Sequence, residues 1–227
     1  MVFLAAGFAV FGEDYLSINH HGKKIEKTIF QNLIGSHIVF NELKKNNLLD
    51  ENARIILAGG EGARGIKGMI DKPVFSSPKE LREYIYLESD RLPKYNPMNA
   101  IGISKFVGGL WTKKMASLKS ENFDFVWFSP GLTSGSTGLK TLPILKRTVF
   151  TVMFKIMNLL GKSQSPEKGG KKYADCLLGK VGKNGELIGA PEGKTIGEYT
   201  EQTALNPLLN NQGLKDELWK ILQEIES

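Results

Sequence analysis

The sequence has almost no cysteine and little histidine. Cys176 is the single cysteine, so the chain can form no internal disulfide and has no cysteine cluster to hold a metal. The three histidines, His20, His21 and His37, follow neither an H-E-x-x-H pattern nor any spacing typical of a zinc site. This composition predicts a protein of a reducing compartment, and we expect a cytoplasmic one.

Long hydrophobic runs and concentrated charge are also missing. The net charge is +6, but the lysines are scattered in pairs and no basic run is interleaved with aromatic residues, which argues against nucleic-acid binding. The apolar segment 1–11 has no preceding positive charge and is too short to cross a bilayer. Segment 148–160 is interrupted by Lys155 and is typical of a buried or interfacial helix, so we predict no membrane span.

What is present is an alternation of buried strands and helices. With 227 residues, 41% of them hydrophobic, the chain predicts a single domain over 1–227. Short apolar runs predict strands at 2–6, 54–58 and 123–128, with a last strand at 186–190. Helices are expected at 25–46, from Ser77-Pro78 onward, and at 98–119, 143–160, 171–178 and 214–225. This order predicts an α/β fold, a partial Rossmann-like doubly wound parallel sheet with flanking helices.

Turn-forming residues follow each of the three best strands. These are Gly7, then Gly59-Gly60-Glu61-Gly62, then Pro130-Gly131. Ligands of doubly wound sheets bind beyond the carboxyl ends of the strands, where glycine lets the backbone approach a ligand. Glycine at a strand end also simply lets the chain turn, so a ligand site and a plain turn both fit these residues.

Several short motifs occur in a fixed order along the chain. They are Leu4-Ala5-Ala6-Gly7, Asn32-Leu33-Ile34-Gly35, Ala53-Arg54-Ile55-Ile56, Ser104-Lys105, Ser129-Pro130-Gly131 and Asp216-Glu217-Leu218-Trp219. In order and spacing they resemble motifs of the short-chain dehydrogenase/reductase family, in particular its retinol-dehydrogenase and protochlorophyllide-reductase-like branch. The resemblance covers nearly the whole chain, and it equates the predicted strands with the family's strands 4 to 7.

The resemblance implies an NAD(P) coenzyme and assigns roles to individual residues. Asn32 and Lys105 stand at two retained catalytic positions, where the family's asparagine anchors a proton-relay water and its lysine contacts the coenzyme ribose. The implied coenzyme-binding residues are Gly7, Lys105, Pro130, Gly131, Thr133 and Ser134, with Ser136 in the same loop. Taken alone, Lys105 also fits an ordinary surface lysine, and Asn32 also fits a helix bend or a core hydrogen bond.

The chain departs from the family pattern at three places. It begins at what resembles the fourth strand, so the glycine-rich coenzyme loop and about 60–90 residues of the family's front are absent, at ~30 residues per βαβ unit. Ile101 stands where the family has its catalytic tyrosine, and Gly60 stands where it has its serine. Isoleucine cannot donate a proton to a developing alkoxide. Tyr95 lies ten residues before Lys105, about 15 Å along a helix, which is too far for a substitute.

Two functions remain open. One is a short-chain dehydrogenase-like protein without independent dehydrogenase activity that binds a partner or a small ligand. The other is an NAD(P)-dependent oxidoreductase completed by another segment or a partner chain. Segment 148–160, with Met153, Phe154, Met157 and Leu160, fits either core packing or the lining of an apolar substrate pocket.

The absence of the family's first three strands also leads to expectations about assembly. Strand 2–6 is expected at the edge of the sheet, where unpaired backbone groups invite pairing with another chain. We therefore expect a partner chain on this strand, cover from elsewhere in the chain, or aggregation. The family resemblance implies another possible assembly, a homodimer through the helices at 25–46 and 98–119.

Overall fold

The computed structural model describes residues 2–4, 10–118, 122–134 and 144–226. The strands are β1 (Val2–Leu4), β2 (Ser17–His20), β3 (Lys23–Glu26), β4 (Arg54–Ala58), β5 (Asp124–Phe128), β6 (Leu187–Gly189) and β7 (Thr200–Glu201). The helices are α1 (Lys27–Ile29), α2 (Gly35–Lys45), α3 (Pro78–Tyr86), α4 (Pro97–Ser117), α5 (Ile144–Leu159), α6 (Pro166–Leu177) and α7 (Gln212–Glu226). A π-helical turn, Phe30–Ile34, joins α1 to α2, and 3-10 turns lie at Glu61–Arg64 and Pro207–Asn210.

The described residues form one five-stranded sheet in the order β1-β4-β5-β6-β7. Strands β1, β4, β5 and β6 are parallel, and β7 pairs antiparallel with β6. The prediction of an α/β fold with a mostly parallel, Rossmann-like sheet is confirmed. The predicted position of β1 at a sheet edge is confirmed as well, since within the described residues β1 pairs with β4 alone.

Both faces of the sheet are covered, which explains the continuous apolar runs of its strands. Ile55, Leu57 and Trp127 point into the larger core, which α4 and α7 cover. Ile56 and Val126 point to the opposite face, where they pack with Cys176 of α6. Alternate residues of β4 and β5 therefore serve two cores, as expected of a doubly wound sheet.

The predicted continuous helix over 25–46 was wrong at its start and in its interior. Residues 17–26 form a hairpin, β2–β3, whose two turn residues, His21 and Gly22, both have positive φ (45° and 75°). The helix begins after Glu26, whose side chain accepts a hydrogen bond from the Ile29 amide at 2.7 Å. Asn32 lies within the π-helical turn, so the helix is irregular at this position.

Helix α4 is enclosed by the rest of the chain. Asn96 caps it by accepting hydrogen bonds from the amides of Met98 (2.9 Å) and Asn99 (3.2 Å), and Pro97 occupies its first turn. Most of its residues from Ala100 to Met115 are buried, because β5, α1 and α7 pack around it. The expected homodimer through helices 25–46 and 98–119 stays a prediction, and α4 leaves little exposed surface for it.

Some predicted features fall outside the described residues. These are Ala5, Ala6 and Gly7 of the first strand and its loop, Ser136, and the side chains of Met153 and Phe154. Across the described ranges, no helix has the length and apolar character needed to cross a membrane. In the same ranges, no three histidine, cysteine, aspartate or glutamate side chains converge as metal ligands would.

Candidate functional site

A cavity of about 590 Å³ lies at the carboxyl ends of β1, β4 and β5. Its walls come from the loops after β4 and β5, from α4 and from the first turns of α6. This volume lies within the range of about 300–1,000 Å³ typical of small-molecule sites. The cavity is therefore where the parallel topology predicts a ligand, beyond the strand ends.

Lys105 reaches this cavity from α4. It is only 8% exposed, and its Nζ donates a hydrogen bond to the carbonyl oxygen of Ala58 at the end of β4 (2.9 Å). Burial disfavours the charged amine and lowers the pKa of Lys105 to about 8. Lys105 is thus not an ordinary surface lysine, and at neutral pH an appreciable fraction of its amine is uncharged.

The two positions that depart from the family pattern flank Lys105. Ile101 lies one helical turn before it on α4, and Gly60 follows β4 among the residues that line the cavity. A Cβ atom placed on Gly60 would lie 3.2 Å from Lys105 Cγ, so glycine here lets the lysine stem lie close to the backbone. Neither Ile101 nor Gly60 carries a hydroxyl group, and neither can donate a proton.

Asn32 sits behind Lys105 rather than in the cavity wall. It is 3% exposed, and its Nδ2 donates to Ser104 Oγ at 2.8 Å. The Ser104 hydroxyl in turn donates to the backbone carbonyl of Ile101 at 2.8 Å. This chain of hydrogen bonds ties the π-helical turn to α4 beside Ile101, which favours the core hydrogen-bonding interpretation of Asn32.

Glu61 is a site residue that sequence reasoning missed. It lines the cavity although only 7% of it is exposed. Its Oε2 accepts a hydrogen bond from Ser129 Oγ (2.9 Å), and its Oε1 accepts one from the Ala190 amide (3.0 Å). These partners lie on the loops after β5 and β6, far away in sequence. The only local signal was an acidic residue within the glycine cluster that follows a buried strand.

The loop after β5 forms another wall, and it includes three of the predicted coenzyme-binding residues. Pro130, Gly131 and Thr133 line the cavity. Gly131 has a φ of +89°, and a Cβ there would lie 2.6 Å from the Thr195 carbonyl oxygen, so the turn requires glycine. Ser134 stands just beyond this wall and contacts Gln164. The predicted residue Gly7 lies outside the described residues.

Two tyrosines are candidates for the phenol that the family resemblance implies at position 101. Tyr95 donates its hydroxyl to the Val10 carbonyl oxygen at 2.6 Å and packs edge-on against Tyr15, so it is occupied elsewhere. Tyr173 of α6 does line the cavity, with its ring centroid 4.4 Å from that of Phe3. Burial raises the pKa of Tyr173, so its phenol stays protonated and can donate a hydrogen bond to a ligand.

Comparison with known proteins does not name a family. No protein-family model matches the chain, and no curated protein is significantly similar to it. Inference about function therefore rests on the chemistry of the site. The cavity offers an amine with a lowered pKa, a buried carboxylate and a phenol among apolar walls, which suits binding of a small molecule that carries a polar group.

Proposed function

We propose that this chain is a short-chain dehydrogenase-like protein that binds a small molecule in the cavity beside Lys105 and has no independent NAD(P)-dependent dehydrogenase activity. One observation carries the proposal. Lys105 is held at the ligand end of the sheet, while the two residues beside it, Ile101 and Gly60, carry no hydroxyl.

The chemistry of carbonyl reduction explains why these two residues matter. Hydride addition to a carbonyl produces an alkoxide, which needs a general acid with a pKa near the working pH. Ile101 provides none, and the pKa of Tyr173 is raised by burial rather than lowered. The Lys105 amine therefore has no neighbouring phenol at position 101 to activate, and we assign it to ligand binding.

The walls of the cavity indicate the kind of ligand. Phe3, Met69 and Leu132 provide apolar surface, and Lys105 and Glu61 provide one potential cation and one carboxylate. A small, mostly apolar molecule with a carbonyl or anionic group would place that group at Lys105. Its remainder would fill the apolar part without leaving buried polar groups unpaired.

Reductive trapping of an aldehyde at Lys105 tests this proposal. At pH 8 about half of the Lys105 amine is neutral, compared with under about 1% of an ordinary lysine, so Lys105 should react first with benzaldehyde and cyanoborohydride. Peptide mass spectrometry locates the modified lysine. We expect the rate at Lys105 to saturate with benzaldehyde concentration, because the aldehyde binds in the cavity before it reacts.

A matched pair of variants separates cavity binding from simple reactivity. Met69→Trp fills the cavity and should abolish the saturable labelling, whereas Met98→Trp is the same change at another half-buried methionine away from the cavity walls and should preserve it. Labelling of Lys105 no faster than that of exposed lysines, or a rate that never saturates, would contradict ligand binding in this cavity.

A second candidate is an NAD(P)-dependent oxidoreductase completed by another segment or by a partner chain. It is favoured by the position of β1, whose free edge in the described structure faces where further strands would pair, and by Lys105 and Asn32. The double variant Ile101→Tyr, Gly60→Ser restores both hydroxyls. Saturable NADPH binding and ketone reduction by this variant alone would favour the second candidate, and we expect neither.

A further inference from the structure

Helix α5 exposes large apolar side chains on one side. Val152 and Ile156 are each 51% exposed, Leu159 is 87% exposed, and Leu160 just after the helix is 63% exposed. Their spacing of four, three and one residues places them on one face of a helix. In the described part of the chain, no helix or strand packs extensively against α5. Exposed apolar side chains that share one helix face are typical of an interaction surface.

The charged residues of the sequence stretch that contains this face have a single sign. From Phe125 to Pro166 the sequence contains no aspartate or glutamate. The same stretch contains five basic residues, Lys140, Lys146, Arg147, Lys155 and Lys162. Lys155 and Lys162, which flank the exposed leucines, are themselves exposed. An exposed apolar face in a stretch whose charged residues are all basic is complementary to a surface that is both apolar and anionic.

We propose that α5 docks on anionic phospholipid bilayers, lying in the interface with Val152, Ile156 and Leu159 among the upper acyl chains. Lys155 and Lys162 then contact lipid phosphate and carboxylate groups, as basic residues do in other interfacial helices. A second copy of this chain fits the surface less well, because pairing two such faces would bring together two sets of positive charges. The segment lies on the membrane and does not cross it.

The anchoring of this segment places the membrane near the candidate ligand site. Thr133 forms a β-bridge with Gln164, and the backbone amides of Ser134 and Gln164 donate to the carbonyl oxygens of Gln164 and Leu132, each at 2.9 Å. The chain thus leaves for α5 and returns from it at the cavity wall formed by Leu132 and Thr133. Docking does not require the cavity to bind anything, so the two proposals can fail separately.

Sedimentation of the full chain with phospholipid vesicles tests the docking. Vesicles of phosphatidylcholine alone are compared with vesicles in which about one third of the lipid is phosphatidylserine. Phosphatidylserine gives the vesicle surface a negative potential. We expect binding to the anionic vesicles and weaker binding when phosphatidylserine is omitted or when salt screens the charges. The double variant Leu159→Glu, Leu160→Glu should bind about 25-fold less, because each charge near such a surface is worth about fivefold in partitioning.

The control variant introduces two glutamates at exposed leucines that lie outside α5. Leu48→Glu with Leu178→Glu adds the same two charges at leucines that are 68% and 62% exposed, and it should reduce vesicle binding by much less. Circular dichroism confirms that both variants are folded. Equal losses in the two variants, or no binding to anionic vesicles, would overturn the proposal. A third result would also overturn it: light scattering that shows a wild-type dimer, together with a monomer for Leu159→Glu, Leu160→Glu but not for the control variant.

Discussion

Replacing Lys105 by methionine should stabilise the protein at neutral pH. The pKa of Lys105 falls from 10.5 to about 8 on folding because the amine is buried, and at about 1.4 kcal/mol per pKa unit this opposes folding by about 3 kcal/mol. Methionine keeps the apolar stem and removes the charge. It also leaves the Ala58 carbonyl without the amine's hydrogen bond, which costs about 1 kcal/mol. We therefore expect Lys105→Met to raise the free energy of unfolding by about 2 kcal/mol at pH 7.

The pH dependence of this gain identifies its cause. Between pH 8 and 10.5 the unfolded chain binds the Lys105 proton while the folded chain has lost it, so wild-type stability rises with pH relative to the variant. The advantage of Lys105→Met should therefore shrink from pH 8 upward and disappear near pH 10. Well above pH 10.5 the variant should be less stable than the wild type by about 1 kcal/mol, because only the lost hydrogen bond is left. Urea unfolding at pH 7 and pH 10 measures it, with the exposed Lys24→Met as control. A variant less stable than wild type at pH 7, or an advantage independent of pH, would refute the reasoning.

Two further predictions concern the core. His37 accepts a hydrogen bond from Trp111 Nε1 through Nδ1 (3.1 Å), and burial lowers its pKa to about 4. Below pH 6.5 the unfolded chain binds a proton at His37 that the folded chain does not, so the free energy of unfolding of the wild type should fall by about 2–3 kcal/mol by pH 4.5. Urea midpoints that fall in parallel for the wild type and His37→Gln would contradict this. Gly59→Ala would place Cβ 2.5 Å from the buried Trp127 ring and should destabilise by about 1–3 kcal/mol. Gly170→Ala enters open space within α6 and should be neutral or slightly stabilising, and thermal melts of both glycine variants measure the difference.

The strands and the longer helices of the core could be predicted from the sequence because their signals are local. The apolar runs at 54–58 and 123–128, and the Ser77-Pro78 start of α3, need no distant partner to be recognised. Ser165-Pro166 has the same cap signature, and it begins α6 at Pro166, five residues before the predicted start at 171. The hairpin β2–β3 is short and largely polar, so neither a clear alternation of apolar and polar residues nor an apolar run predicts it.

The candidate site was predictable only in part. The order of the motifs predicted that Lys105, Gly60 and Pro130 belong to one site, and all three line the cavity. Gly60 and Pro130 could be placed there because parallel strands end at the same edge of the sheet. The role of Glu61 was not predictable, since its hydrogen-bond partners, Ser129 and Ala190, are 68 and 129 residues away in sequence. The burial of Lys105 likewise involves a distant contact, since its amine donates to the Ala58 carbonyl oxygen, 47 residues away in sequence.

The central claim is that the cavity beside Lys105 is a ligand site without independent dehydrogenase function. Titration of the chain with NADPH, followed by nicotinamide fluorescence, tests it most directly. We expect no saturable change in fluorescence, because the sequence has no glycine-rich loop of the kind that binds the pyrophosphate of such a coenzyme. Saturable micromolar binding of NADPH by this chain alone, lost in Lys105→Met, would contradict the claim.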